Sequence, residues 1–216
     1  MLDFSSIDGV VFDLDGTLVD TFVDLTTAVN LVRGQRGYPP VTVSNVKAHV
    51  GLGVNSLVDG CVPSKDAADR DMAVQAFLDA YESHLVEVTQ PYPGTMEGLA
   101  RFAPRPMAVL SNKPGKQTRL IVEQLCMSHF FVSIHGGDDF PMMKPEPEPL
   151  LRTLAEMGVR PDRGLMVGDS AVDVHTARAA GVHVALVRTG LASPQELVSL
   201  APDLLVEDIL ALSCET

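Results

Sequence analysis

The chain has 216 residues, enough for one large domain or for one domain carrying an insertion. Hydrophobic residues make up 46%, charged residues 20%, and no low-complexity tract is present, which excludes a disordered chain. The formal net charge of −12 argues against non-specific nucleic-acid binding, but not against an anionic substrate, because a bound cation and a few lysines reverse the field locally.

The first predicted strand is GVVFDL (9–14), apolar on both faces. It ends in Asp13 and Asp15, two carboxylates that leave the same face of a strand, before Gly16 breaks the run. Like charges at that spacing repel and lose hydration, so a partner must offset the cost. Residues 20–91 then hold no convincing strand: DTFVDLTTAVNLV (20–32) and 66–88 read as helices, the second with a stripe of Val74, Phe77, Leu78, Tyr81 and Leu85. The chain returns through QPYPG (90–94), so 20–91 reads as an inserted helical domain and 1–19 with 92–216 as the core. The alternative is one continuous domain whose helices pack on its own sheet.

Beyond that junction, strands are predicted at 106–111, 130–136, 164–169, 182–188 and, more briefly, 203–208. Helices lie between them at 115–125, at 148–158 with Leu150, Leu151, Leu154 and Met157 on one side, and at 170–181, stopped by Gly181. Alternation of strand and helix means an open parallel α/β sheet, whose right-handed crossovers bring the strand ends to one ligand-binding edge. Cys61, Cys126 and Cys214 show no C-x-x-C spacing, the histidines show no metal spacing, and neither a basic-then-apolar leader nor a run near the roughly 20 residues of a membrane span is visible. A soluble protein of the reducing cytoplasm is expected.

Polar groups recur at the later strand ends: Ser111, Asn112 and Lys113, then Lys144 before a proline-rich start, then Asp169 and Asp173. Together with the first acidic pair, these would be neutralised by a hard divalent cation and a phosphate. Taken in order, DLDGTLVDT, SNKPGK, the lysine of KPEPEPL and GDSAVD resemble the four motifs of the haloacid dehalogenase superfamily of phosphotransferases. SNKPGK, GGDDFPMMKPEPEPLL and VGDSAVDVHTARAAG resemble the phosphoglycolate phosphatase branch in particular.

The resemblance implies an α/β fold with a Rossmann-like parallel sheet core and an inserted α-helical cap. It implies a Mg²⁺-dependent phosphatase acting on a small organic phosphate, 2-phosphoglycolate first, without a nucleic-acid or membrane partner. Asp13 would be the nucleophile and Asp15 the acid and base. Mg²⁺ would be held by Asp13, Asp169 and the Asp15 carbonyl, with Asp173 and Ser170 behind them. Ser111, Asn112 and Lys144 would grip the phosphoryl oxygens, while Gly16 lets the backbone approach and Thr17 adds a hydroxyl.

Plainer readings stand beside these: Ser170 and Asp173 as a capping box, Ser111 as an ordinary strand-end hydroxyl, and Lys113 at the solvent or substrate rim. In the insertion, KAHVGLGVNSLV (47–58) offers Lys47, Gly51, Gly53 and Asn55 for substrate selection, or a plain turn. Competing functions are a β-phosphoglucomutase-like phosphotransferase, another phosphatase of the superfamily acting on sugar phosphates, nucleotides or pyrophosphate, and a receiver-like phospho-aspartate switch.

Overall fold

A computed structural model of the chain describes residues 2–190 and 192–213, so Cys214 lies outside the described residues. The chain divides into two compact units, Met1–Asp20 with Pro91–Thr216, and Thr21–Gln90.

The larger unit begins with β1 (Gly9–Phe12). Short strands β2 (Val19–Asp20) and β3 (Gln90–Pro91) pair where the chain leaves and returns, a feature the sequence did not announce. The Thr21–Gln90 unit holds helices α1 (Phe22–Gln35), α2 (Val43–Lys47), α3 (Gly53–Cys61) and α4 (Ala67–Ser83). After the return come α5 (Thr95–Phe102), β4 (Met107–Leu110), α6 (Gly115–Gln124) and β5 (Ser133–His135). Then follow α7 (Glu148–Glu156), β6 (Gly164–Gly168), α8 (Ala171–Ala180), β7 (His183–Val187), α9 (Pro194–Ser199), β8 (Leu204–Val206) and α10 (Ile209–Ser213).

Among the described residues the main sheet has six parallel strands in the order β5-β4-β1-β6-β7-β8. From β1 the chain builds outward to β4 and β5, then crosses back to β6 on the other side. The order therefore reverses beside the carboxyl end of β1, where open sheets of this kind hold ligands. Phe12 stands opposite Val109 of β4 and Val167 of β6, so the residues following these three strands emerge together. Strands β1, β4 and β6 are buried along their whole length, which explains their unbroken apolar sequences. Val11, Leu110 and Met166 of the sheet pack with Leu150 and Leu154 of α7 and Val174 of α8.

Two helical expectations are corrected. On α7, Leu150 and Leu154 are fully buried, but Leu151 is 36% exposed, because it lies a third of a turn away from the stripe they form. Helix α4 stops at Ser83, leaving Leu85 buried beyond its end. The chain uncoils there to present the amides of Glu87, Val88 and Thr89 to the buried Asp24 carboxylate, at 3.1, 3.1 and 2.8 Å from Oδ2. Within the same unit, the Phe77 and Tyr81 rings stack with centroids 5.6 Å apart. No helix among the described residues is long and apolar enough to cross a membrane.

Candidate active site

Four loops at the carboxyl edge of the sheet build the site, beginning with the one after β1. The Asp13 amide donates to Val167 O at 2.9 Å, which holds Asp13 against β6. Three residues on, the chain turns at Gly16, whose φ of +84° suits glycine and whose N–H donates to Val19 O at 3.0 Å. The Thr17, Leu18 and Val19 amides all point at Leu14 O, so the turn is tight and internally bonded. Asp13 and Asp15 are both buried, at 9% and 7% exposure.

Two buried lysines meet these acids. Lys113, from the loop after β4, places its Nζ 3.2 Å from Asp15 Oδ1. It is 7% exposed and lines the interior, so the rim reading of this lysine is corrected. Lys144 lies between two carboxylates, with its Nζ 3.0 Å from Asp13 Oδ1 and 2.7 Å from Asp173 Oδ1. Burial alone would push its ammonium down, but Asp13 and Asp173 more than reverse that and hold it above the ordinary lysine range. Burial pushes the Asp13 carboxyl up to about 6; Lys144 opposes the shift, while Asp173 and Asp15 add to it.

The backbone of Lys144 is held as firmly as its tip. Asn112 Nδ2 donates to Lys144 O at 2.7 Å, and Lys144 N donates to Asn112 Oδ1 at 2.9 Å. The sequence reading gave this amide to phosphoryl oxygens; in the structure it clamps the loop that aims the lysine. A side-chain amide matches a peptide's donor and acceptor in one planar pair, which is why an asparagine serves there. Ser111, buried beside it, accepts from Lys113 N at 3.2 Å through its Oγ.

Asp169 and Asp173 come from the loop after β6 and the first turn of α8. Asp173 Oδ2 accepts from Asp169 N and Ser170 N, both at 3.2 Å, and from Ser170 Oγ at 2.9 Å. Its other oxygen faces Lys144, so capping and charge pairing coexist in one side chain. Thr17 Oγ1 donates to Asp169 Oδ1 at 3.3 Å, so its hydroxyl serves that carboxylate.

One oxygen from each of Asp13, Asp169 and Asp173 lies within 4.8 Å of the others. The set fits a hard divalent cation: all three donors are buried carboxylates, and Asp13 Oδ1 makes no aligned hydrogen bond although Lys144 is close.

Two features beside the site escaped the sequence. Thr189 and Gly190 follow β7, with Thr189 Oγ1 donating to Gly16 O at 2.7 Å. The signal was available, since β7 ends at the same edge, but a lone Thr-Gly pair carries no motif. Tyr92 is the other: its hydroxyl is buried and makes no hydrogen bond. Burial, with the carboxylates of Asp20, Asp169 and Asp15, holds its phenol above the ordinary tyrosine range and keeps it a neutral donor.

Lys47, Gly51, Gly53 and Asn55 belong to the Thr21–Gln90 unit. There Lys47 Nζ sits 4.3 Å from the centroid of the Phe22 ring, a cation–π contact. Gly51 and Gly53 adopt φ of +111° and +85°, and Asn55 is exposed on α3.

The model of the haloacid dehalogenase-like hydrolases matches residues 10–187. A phosphoglycolate phosphatase of Chromobacterium violaceum is 37% identical over 218 residues, covering 98% of this chain and 97% of that protein. One of Pseudomonas putida is 37% identical over 212 residues, covering 94% of this chain and 77% of that protein. Among solved structures, a predicted phosphoglycolate phosphatase from Haemophilus somnus superposes with a TM-score of 0.90 at 26% identity, covering 96% of each chain. With that match spanning all four loops of the site, this chain belongs to the haloacid dehalogenase-like hydrolases.

Proposed function

We propose that the chain is a Mg²⁺-dependent cytoplasmic phosphatase that hydrolyses 2-phosphoglycolate, or a closely similar small monoester, through an aspartyl-phosphate. Lys144 between Asp13 and Asp173, with Asp169 in reach of both, is the observation that carries this reading. The names of the curated relatives support the substrate.

An Asp13 carboxylate oxygen attacks phosphorus; the new O–P bond forms as the ester P–O bond breaks, and Asp15 gives the leaving alkoxide its proton. Water then attacks the same phosphorus, the Asp13–phosphorus bond breaks, and Asp15 takes the water's proton. Lys113 keeps Asp15 at its post in the resting site. Lys144 and Ser111 face the phosphoryl oxygens, and Asn112 keeps the Lys144 backbone from drifting. Asp13, Asp169 and the Asp15 carbonyl would hold Mg²⁺, with Asp173 and Ser170 supporting them, and the cation supplies positive charge where negative charge gathers. Monoester hydrolysis asks for on the order of 20 kcal/mol of barrier lowering, which oriented charge is best able to supply. Thr21–Gln90 would serve as the cap, with Lys47, Gly51, Gly53 and Asn55 selecting the ester.

The test is phosphate release from a panel of 2-phosphoglycolate, sugar phosphates, nucleoside monophosphates and pyrophosphate, with Mg²⁺ and then with EDTA. Highest kcat/KM on 2-phosphoglycolate, loss with EDTA and no turnover by a folded Asp13→Asn variant are expected. Turnover by that variant near the wild-type rate would remove the mechanism; preference for another ester would remove the substrate alone.

A further inference from the structure

Shape helps to aim the Asp169 carboxylate. A methyl group at position 16 would lie 2.5 Å from Asp169 Oδ2 and 3.1 Å from Gly190 Cα. A methyl group at position 190 would overlap the same carboxylate and come within 2.5 Å of Asp169 Cβ. The side chain is therefore seated between two residues that lack a Cβ, one from the loop after β1 and one from the loop after β7. Thr189 ties those loops together through its hydroxyl on Gly16 O at 2.7 Å.

The two glycines differ in why they are needed. Gly16 requires its positive φ, so any side chain there strains the backbone as well. Gly190 lies outside the left-handed region, so the strain that positive φ adds at Gly16 does not arise there. The three atoms nearest an added methyl all belong to the Asp169 side chain, Cβ included, so both that side chain and its attachment must shift to admit alanine.

Building on the cation site of the proposed function, we propose that Thr189 and Gly190 are its positioning residues: the loop after β7 sets where Asp169 presents its oxygens and so sets divalent-cation affinity. Neither residue touches the substrate or gives the cation a ligand.

Mn²⁺ binding to the metal-free protein, followed by electron paramagnetic resonance, reads this directly, alongside thermal melts of the same metal-free samples. Wild type should bind and Asp169→Asn should not; if the two coincide, the cation site itself falls and this inference with it. Gly190→Ala should bind about 10–100-fold more weakly, the range seen when supporting groups of a metal site are changed, while its metal-free melt stays well above the assay temperature. Thr189→Val should weaken binding about tenfold and Thr189→Ser should restore it, since serine keeps the hydroxyl. In turnover, Gly190→Ala should raise the Mg²⁺ activation constant while leaving the ester KM at saturating Mg²⁺ unchanged. Wild-type affinity in Gly190→Ala overturns the proposal. So does a loss of affinity found only where the metal-free variant is unfolded at the assay temperature, or a Thr189→Ser variant as weak as Thr189→Val.

Discussion

In the proposed mechanism Asp13 serves as a nucleophile and as a cation ligand, and both duties require the carboxylate. Burial pushes its pKa up to about 6 in the metal-free protein. As pH falls through that value the proton takes the oxygen that both duties need, so activity is lost on the acid side. Added Mg²⁺ competes with that proton. Profiles of kcat/KM against pH at two Mg²⁺ concentrations should show an acid limb near 6 at the lower one, moving to lower pH at the higher. A limb indifferent to Mg²⁺ would mean that proton and cation do not share the oxygen. Asn112 works at the same scale without touching the chemistry. Asn112→Ala leaves the Lys144 amide and carbonyl without their partner, which should cost about 1–3 kcal/mol in urea unfolding. With the lysine loosened, kcat should fall about 10–100-fold, read by steady-state kinetics.

At the scale of the element, Asp24 shows how a terminus is tied. This carboxylate in the first turn of α1 accepts from the Glu87, Val88 and Thr89 amides and from Thr89 Oγ1 at 2.6 Å. It joins the two chain ends of the Thr21–Gln90 unit. Asp24→Ala would orphan three buried or half-buried amides, and at about 1 kcal/mol or more apiece it should destabilise that unit by roughly 3 kcal/mol. Hydrogen exchange at residues 87–89 would detect it locally. Nothing in the sequence pointed to Asp24, since an acid near a helix start has an ordinary role there. Strand cores were legible for the opposite reason: Val10–Phe12 and Leu165–Val167 are apolar on both faces because both faces are covered. Asp13, Asp15, Lys144 and Asp169 were legible because topology alone carries the ends of parallel strands to one edge. The Asn112 clamp was not, because the partner of a side-chain amide depends on the path of the 138–147 loop, which has no periodic pattern. The end of α4 failed likewise, since tertiary hydrogen bonds to Asp24 override a good helical stripe.

For the whole molecule, a cation that binds only the folded site must raise stability by mass action. At a hundredfold excess over its dissociation constant the gain is about 2.7 kcal/mol. For a chain of this size that corresponds to a rise of about 5–10 °C in the melting of the site-bearing unit. Differential scanning calorimetry with Mg²⁺ should show the rise and EDTA should reverse it; an unmoved transition would speak against a folded-state cation site.

The four aspartates 13, 15, 169 and 173 outnumber the two lysines 113 and 144, all of them buried together in a chain that is itself strongly acidic. Left to its own side chains, this cluster is electronegative and would turn a dianionic ester away. It would become hospitable only once a doubly charged ion had evened the count. Encounter should therefore be sequential, with the ester second, and in initial-rate kinetics its capture should weaken steeply as free Mg²⁺ is withdrawn, well before the catalytic constant declines.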